Sequence, residues 1–153
     1  MENDEKKILE ENKKIYERFL YELYNEGKLD VADEIMAEDY EYHDVIFKDL
    51  PFHTSGPAGI KQRVQLYKAG IPDLYFESVF MVAEGDKVVC YWKGKGTHTG
   101  RIFGIKGTGN KLDFKGIDIL RIVDGKIVEG WDCSDFLTAF RQVGAIKLPW
   151  EKS

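Results

Sequence analysis

The stretch KLDFKGIDILRIVDGKIVEGWDC, residues 111 to 133, decides the fold predicted for this chain. β-Branched and aromatic residues fill its two halves, and Asp124-Gly125 between them is typical of a two-residue hairpin turn. Two similar runs precede it, LYFESVFMVA at 74–83 and KVVCYWKGKGTH at 87–98. Turn residues separate all of these runs, so the second half of the chain predicts a sheet of mainly antiparallel strands.

The rest of the chain shows helical spacing. Apolar residues at Ile8, Ile15, Phe19 and Leu23 form one stripe, which predicts a helix from about residue 5 to 25. Further helices are predicted over VADEIMA at 31–37, from Ser55-Gly56-Pro57 to Gly70, and after a cap at Ser134 or Asp135. Helices, then strands, then a closing helix predict an α+β fold with the helices on one side of the sheet.

Composition limits the classes of function. The chain has 153 residues, 43% of them hydrophobic, which is enough for one core, and we predict a single domain over 1–153. With 22 basic against 27 acidic residues the net charge is −5, so a nucleic-acid partner is not expected. No apolar run exceeds five residues, so no membrane partner is expected. The charged start MENDEKK lacks the apolar stretch of a secretory signal, which favours a cytoplasmic protein.

Strand alternation assigns the candidate site residues to one face. In 111–123 the apolar phase contains Leu112, Phe114, Leu120 and a single carboxylate, Asp118. An ionised aspartate is expensive to bury unless it is paired, and more commonly its pKa rises. In 87–98 the uncharged phase carries Trp92 and ends at His98. Asp118 is therefore the first candidate for chemistry in this chain.

The hairpin predicts a register. A two-residue loop pairs Val123 with Lys126 and, further along, Asp118 with Trp131 and Leu120 with Glu129. These pairs predict a mostly apolar pocket with a few converging polar groups. Its expected residues are Asp118, Trp92, Phe114, Glu129 and Trp131.

Each candidate also has a purely structural interpretation. An inward aspartate such as Asp118 is equally typical of a structural carboxylate that is hydrogen-bonded within the fold. Trp131 is equally typical of a core residue. Glu129 can face solvent at a strand rim, and His98 can be a surface residue at a strand end. His43, in YEYHD at 40–44, is a weaker pocket candidate, because a loop after a helix uses such residues for turns.

Motifs for metals and nucleotides are missing from the sequence. Histidines stand far apart, at 43, 53 and 98, with no His-x-x-x-His or Cys-x-x-Cys spacing. No Gly-x-Gly-x-x-Gly follows a strand. We therefore expect neither a metal nor a dinucleotide cofactor.

The motifs together carry a family resemblance. The run GTHTGRIFGIKGTGNKLDFKGIDILRIVDGKIVEGWD at 96–132 resembles the signature of SnoaL-like polyketide (ester) cyclases, within the nuclear-transport-factor-2-like superfamily. YEYHD at 40–44, IPDL at 71–74 and FLTAFRQVG at 136–144 are also similar to that family. The resemblance covers roughly residues 8 to 144.

This resemblance implies a cone-shaped α+β barrel in which a curved sheet wraps around the N-terminal helices and encloses one deep pocket. It implies ring closure by intramolecular aldol condensation, without a metal or organic cofactor. It also implies that Asp118 serves as acid/base, with His98 near it. We therefore expect both residues to be catalytic, with His98 passing on the proton or hydrogen-bonding the enolate oxygen. An apolar, carbonyl-bearing small molecule is the expected ligand.

Alternatives remain on the same fold. One is a non-catalytic small-molecule carrier, and another is a ketosteroid-type isomerase. A third, epoxide hydrolysis, implies an Asp-Arg-Asp set in one pocket, which the strand phases of Arg121 and Asp132 do not assemble. Finally, the opposite face of the sheet is apolar in places, which predicts a homodimer through that outer face. Its apolar residues are Val89, Tyr91, Ile117, Ile119 and Val128.

Overall fold

The computed structural model describes residues 1–43 and 55–152. Helix α1 (Glu2–Glu17) continues as a π-helix over Arg18–Asn25. The remaining helices are α2 (Asp30–Ile35), α3 (Gly56–Gly70) and α4 (Phe136–Gln142). The strands are β1 (Met36–His43), β2 (Tyr75–Glu84), β3 (Lys87–Thr97), β4 (Lys111–Val123) and β5 (Lys126–Ser134).

The five strands form one sheet in the order β1-β5-β4-β3-β2. Strands β2 to β5 pair antiparallel as consecutive neighbours, and β1 adds in parallel to the free edge of β5. The predicted α+β fold with a mainly antiparallel sheet is confirmed. In the part of the chain that the structure describes, no helix is both long enough and apolar enough to cross a membrane.

Strand β1 is the element that the sequence did not predict. Its first residues, Met36 and Ala37, belong to the predicted helix VADEIMA, and its last ones to the predicted loop YEYHD. The helix ends at Ile35 because Met36 adopts an extended backbone, with φ −113° and ψ 143°. The pairing that holds β1, such as His43 opposite Trp131, joins distant parts of the chain and has no local sequence signal.

The core lies between the N-terminal helices and one face of the sheet. The inward phases of β3 and β4 are buried as predicted, with Val88 and Cys90 fully covered and Phe114 6% exposed. Tyr16, from α1, and Leu23, from the π-helix that extends it, are fully buried opposite them. The helices therefore cover the face of the sheet that carries Trp92 and Asp118.

A β-bulge in β5 overturns the predicted register. Val123 pairs with Lys126 and Ile122 with Ile127, but Arg121 then pairs with Glu129, so Val128 is an extra residue. Every later pair shifts by one position, which turns the following side chains to the other face. Asp118 therefore lies opposite Asp132, not Trp131, and Leu120 lies opposite Gly130, not Glu129. The shift lets Arg121 donate from Nε to Glu129 Oε1 at 2.9 Å on the outer face.

Candidate active site

A cavity, here called the Asp118 cavity, lies between the helices and the inner face of the sheet. Its walls are mainly aromatic, and its polar groups are one arginine, two aspartates, one serine and several tyrosine hydroxyls. The lining residues are Phe19, Leu20, Tyr24, Tyr40, Tyr42, Arg63, Tyr67, Phe76, Trp92, Phe114, Asp118, Leu120, Trp131, Asp132 and Ser134. An apolar enclosure with few converging polar groups is the usual composition of a small-molecule site.

Asp118 is held in this cavity by a tyrosine from α1. The hydroxyl of Tyr16 donates to Asp118 Oδ2 at 2.8 Å. Tyr16 is fully buried and Asp118 is 8% exposed, so water does not compete for this bond. Burial and the Asp118 charge raise the pKa of Tyr16 well above its ordinary value, so Tyr16 remains a hydrogen-bond donor. Tyr16 therefore fixes the orientation of the Asp118 carboxyl.

Asp118 and Asp132 form a carboxyl pair across β4 and β5. They are direct partners in the antiparallel ladder, and the hydroxyl of Ser134 donates to Asp132 Oδ1 at 2.7 Å. Burial, together with the neighbouring charge of Asp132, raises the pKa of Asp118 to about 7, although the Tyr16 hydrogen bond opposes this rise. Two neighbouring carboxyls do not ionise together easily, so near pH 7 Asp118 is about half protonated beside Asp132. One member can then accept a proton while the other donates one.

Two buried polar atoms in the walls of the cavity lack partners. Among the described residues, neither the Tyr40 hydroxyl nor the Trp92 indole nitrogen makes a hydrogen bond. The Trp92 N–H lies close enough to Asp118 to lower the pKa of that carboxyl, yet outside hydrogen-bond geometry. Buried polar groups are nearly always satisfied, so these two indicate where a ligand or an ordered water binds.

Arg63, from α3, brings a positive charge into the cavity. Its guanidinium lies 3.5 Å from the ring centroid of Tyr42, a cation–π contact. Tyr24, whose pKa burial raises to about 12, hydrogen-bonds to Arg63 and remains a neutral phenol. Arginine stays protonated in proteins, so Arg63 is a fixed cation in the same cavity as the two carboxyls.

The cavity brings together four of the seven predicted site residues. Asp118, Trp92, Phe114 and Trp131 all line it. The expectation that Trp131 covers Asp118 across the strand pair is wrong, because the bulge places Asp132 there. Trp131 instead pairs with Ile119 and stacks on His43, with ring centroids 5.2 Å apart.

His43 and Glu129 lie outside the Asp118 cavity. They form an ionic cluster on the outer side, in which His43 Nε2 is 2.7 Å from Glu129 Oε2 and Arg121 binds the other oxygen. Glu41 is the third member of this cluster. One ring nitrogen of His43 and one carboxylate oxygen each of Glu41 and Glu129, all atoms of the kinds that bind metal ions, lie within 4.8 Å of one another. His43 also lines an outer depression, which shares Tyr40, Tyr42 and Arg63 with the cavity. His43 is therefore near the mouth of the cavity, not inside it.

His98 also lies outside the Asp118 cavity, although the resemblance implied a place near Asp118. The strand partner of Asp118 is Cys90, eight residues before His98 in the chain. At about 3.3 Å per residue that is roughly 26 Å of extended chain. His98 is fully buried and lines a second cavity, which shares only Tyr67 and Phe114 with the first.

Tyr16, Arg63 and Asp132 were not predicted as site residues, although the sequence contains a partial signal for them. Tyr16 lies beside the predicted stripe of the N-terminal helix, and Arg63 lies about one turn from both Ile60 and Tyr67 in α3. Asp132 was assigned to the wrong face by the unbulged register. The opposite charges of Arg121 and Glu129 were the only hint of the bulge, because they can pair only if Glu129 faces outward. Asp118, Arg63 and Asp132 thus line one cavity, contrary to the expectation that no Asp-Arg-Asp set is assembled.

The fold and the cavity define an α+β protein that encloses a carboxyl pair among aromatic walls. The family model of the SnoaL-like polyketide cyclases matches residues 14–143, and the chain belongs to this family. It is 31% identical over 128 residues to the nogalonic acid methyl ester cyclase of Streptomyces nogalater, covering 83% of this chain and 91% of that protein. It is 29% identical over 134 residues to the aklanonic acid methyl ester cyclase DauD of Streptomyces sp. (strain C5), covering 87% and 80%.

A solved structure shows the same architecture. TsrD from Streptomyces laurentii superposes with a TM-score of 0.78 at 29% identity, covering 89% of this chain and 96% of that chain. The resemblance noted from the motifs is therefore confirmed at the level of family and fold. The protein is a polyketide cyclase-like enzyme.

Proposed function

We propose that this enzyme closes a ring by intramolecular aldol addition in an apolar ester that carries neighbouring carbonyl groups, with Asp118 as the base. The observation that carries the proposal is the buried Asp118, whose pKa burial raises to about 7 in a cavity of aromatic walls. A carboxylate with that pKa is a stronger base than an exposed one, and about half of it is ionised at neutral pH. The names of the cyclase relatives favour a methyl ester as the substrate class.

Ionised Asp118 removes a proton from the carbon between two carbonyls, and the electron pair passes into an enolate. The enolate carbon attacks a ketone carbonyl of the same molecule, a C–C bond forms, and the ketone oxygen becomes an alkoxide. The proton on Asp118 then returns to this alkoxide, so the product is a cyclic β-hydroxy ester. This sequence needs no metal or organic cofactor, because a carbon between two carbonyls is already fairly acidic.

In the proposed reaction, Arg63 stabilises the negative charge that develops on the enolate oxygen. An enolate carries its negative charge mainly on oxygen, and a fixed cation in an enclosed site stabilises such a charge more than water does. Arg63 is held on the ring of Tyr42 and lines the same cavity as Asp118. The partner-free hydroxyl of Tyr40 and the N–H of Trp92 are further donors for substrate oxygens.

Substrate entry requires movement of side chains. The volume of the Asp118 cavity is about 30 Å³, far less than a ring-bearing ester needs. The outer depression has a volume of about 220 Å³ and shares Arg63, Tyr40 and Tyr42 with the cavity. We therefore place the entrance at this shared wall, where movement of Arg63 and Tyr42 joins the two spaces.

The test uses aklanonic acid methyl ester with the purified protein. Conversion to a cyclised isomer of unchanged mass supports the proposal, and in D₂O the wild type should also exchange the proton that Asp118 removes. Asp118→Asn should lower both rates by about 10²–10⁴-fold, the usual worth of a general base. Asp113→Asn is the matched control, since Asp113 is an exposed aspartate on the same strand. Equal cyclisation rates in the wild type and Asp118→Asn would refute the assignment.

A second candidate is epoxide hydrolysis, favoured by the set of Asp118, Arg63 and Asp132 in one cavity. In this reaction the ionised carboxyl takes a proton from water, whose oxygen attacks an epoxide carbon. The C–O bond breaks, and the protonated carboxyl gives its proton to the leaving oxygen. Cyclohexene oxide in ¹⁸O-labelled water discriminates the two candidates. Labelled diol without cyclisation of the ester would favour the hydrolase, and cyclisation without diol favours the cyclase.

A further inference from the structure

Three side chains at the junction of β1 and β5 bring metal-binding atoms together outside the Asp118 cavity. Glu41 and His43 lie two residues apart on β1, so they share one face of that strand, and Glu41 pairs directly with Glu129 of β5. One nitrogen of His43 and one oxygen of each glutamate lie within 4.8 Å of one another. This set, here called the His43 cluster, comes from two strands that are distant in the sequence, so local motifs such as His-x-x-x-His do not reveal it.

The distances in the His43 cluster are close to those around a bound zinc ion. Bonds of about 2.0–2.2 Å in a tetrahedron separate two ligand atoms by about 3.4 Å. His43 Nε2 is 2.7 Å from Glu129 Oε2 and 3.9 Å from Glu41 Oε2, on either side of that separation. Side-chain shifts of about 1 Å are therefore enough to place the three atoms around one ion.

Neighbouring residues orient two of the three ligands. Arg121 donates from Nε to Glu129 Oε1 at 2.9 Å, which leaves Oε2 for the cluster. This hydrogen bond lowers the pKa of Glu129, so the carboxylate is ionised, as a metal ligand must be. The ring of His43 stacks on Trp131, with centroids 5.2 Å apart and 22° between the planes. Contacts of this kind fix the direction of the ligands in metal sites.

The charges around the cluster favour a bound cation. Arg121 also lies 3.7 Å from Asp86, so one arginine serves two carboxylates. Among the residues that the structure describes, the ion pairs of Glu41 include only its contact with His43. Glu41 and Glu129 are direct strand partners, and like charges in that position repel each other. A divalent cation between them would remove this repulsion.

The cluster also has space for a further ligand. Three protein ligands leave one position open on a tetrahedral ion. Glu41 and His43 line the outer depression, whose volume of about 220 Å³ has room for a water molecule beside the ion. The depression lies outside the Asp118 cavity, so this site does not depend on the proposed cyclisation.

We propose that Glu41, His43 and Glu129 form a binding site for a divalent transition-metal ion such as zinc. The ion replaces the hydrogen bond between His43 and Glu129, links β1 to β5, and takes a water molecule from the outer depression as its fourth ligand. The histidine determines the class of metal, because imidazole nitrogen suits zinc and cobalt(II), whereas magnesium and calcium prefer oxygen ligands alone.

The test titrates the whole, metal-free chain with Co²⁺, whose visible absorption reports its coordination and which quenches a nearby tryptophan. Binding of one equivalent that quenches Trp131 and is reversed by Zn²⁺ supports the site. Trp131→Phe should lose this quenching and still bind Zn²⁺ in calorimetry. No binding of either ion at millimolar concentration would overturn the proposal. Displacement of Zn²⁺ by an equal amount of Mg²⁺ would also overturn it, since the histidine would then not be a ligand.

Matched variants locate the bound ion. Glu41→Gln keeps the shape of the side chain without its charge and should weaken Zn²⁺ binding about tenfold or more. Glu38→Gln, an exposed position on the same strand, makes the same change outside the cluster and should bind like the wild type. His43→Phe keeps a ring against Trp131 without a ligand nitrogen and should also bind more weakly. Wild-type affinity in Glu41→Gln or His43→Phe would reject the site.

Hydrogen exchange tests the link between the strands. Strand β1 is an edge strand that pairs with β5 alone, so an ion held by both strands should slow the exchange of its amides. Saturating Zn²⁺ should therefore protect β1 in the wild type and not in Glu41→Gln. Asp118→Asn should bind Zn²⁺ and gain the same protection as the wild type, which separates this site from the proposed reaction. Zn²⁺ binding without slower exchange in β1 would contradict the link.

Discussion

At the residue scale, the hydrogen bond from Tyr16 sets the pH at which Asp118 can act. Burial raises the pKa of Asp118, and the Tyr16 hydroxyl, 2.8 Å from Oδ2, lowers it by stabilising the ionised form. Tyr16→Phe should therefore raise this pKa further, by about one unit, given the usual strength of a hydrogen bond to a charged group. The acidic limb of kcat/KM against pH should move to higher pH by that amount, with the rate recovering above it.

Tyr75→Phe is the control for this variant, because Tyr75 is exposed on β2. It should leave the profile unchanged. If the acidic limb of Tyr16→Phe coincides with that of the wild type, Asp118 is not the group whose ionisation controls the rate.

The same carboxyl should make the fold less stable as the pH rises. The pKa of Asp118 is about 7 in the folded state and about 3.9 when unfolded. Between these values the folded chain holds a proton that the unfolded chain has released, so this group's contribution to stability falls as the pH rises from about 4 to about 7. The asparagine of an Asp118→Asn variant has no such proton, yet its amide oxygen can still accept from Tyr16.

We expect the Tm of Asp118→Asn to rise relative to the Tm of the wild type as the pH increases from 4 to 7. Above pH 7 the difference between the two Tm values should stay constant. It should reach several °C, since about 1 kcal/mol shifts Tm by 2–4 °C for a chain of this size. Thermal unfolding followed by circular dichroism at each pH measures it. A difference that does not change with pH would mean that the pKa of Asp118 is not raised.

At the element scale, a glycine in β4 fixes the indole that covers the cavity. A Cβ on Gly116 would lie 2.3 Å from Cζ2 of Trp92, so the ring packs directly on the backbone of β4. Gly116→Ala should displace Trp92, which lines the cavity beside Asp118, and cost about 1–3 kcal/mol of stability through overpacking. Activity should fall at temperatures where the variant is still folded, and the near-UV circular dichroism of tryptophan should change.

Lys115→Ala is the matched control for Gly116→Ala, because Lys115 is the exposed neighbour on the same strand. It should retain wild-type stability and activity. A Gly116→Ala variant with an unchanged tryptophan spectrum and full activity would show that Trp92 has room to move without effect on the site.

Elements that local patterns define were predictable from the sequence, and their non-local arrangement was not. Helix α3 begins and ends as Ser55-Gly56-Pro57 and Gly70 indicated, and Asp135 caps α4 by accepting from the amide of Thr138. The strand phases placed Asp118 and Trp92 inward, as the structure has them. Strand β1 depends on pairing with the distant strand β5, which no local pattern encodes. The bulge at Val128 lies within one hairpin, but its sequence signal was limited to the opposite charges of Arg121 and Glu129. One extra residue in β5 was enough to exchange Trp131 for Asp132 beside Asp118.

At the scale of the whole molecule, the outer face of the sheet exposes several large apolar side chains. The face predicted to be apolar is extended by β2, where Phe80 pairs with Tyr91 and their rings lie 5.5 Å apart. Phe80, Val82 and Ile117 are 57%, 56% and 44% exposed, which is unusual for large apolar residues on one surface of a monomer. A self-complementary apolar face favours a two-fold homodimer, as the sequence led us to expect.

Light scattering at micromolar concentration should therefore give twice the chain mass of 17.6 kDa. Ile117→Lys places a charge in the middle of this face and should give a monomer, because a charge buried without a partner is costly at an interface. Its cyclisation rate per chain should remain close to that of the wild type, since the side chain of Ile117 points away from the Asp118 cavity. Lys126→Ala, outside this apolar face, is the control and should remain dimeric. A wild-type protein that scatters as a monomer would leave the apolar face without the partner proposed here.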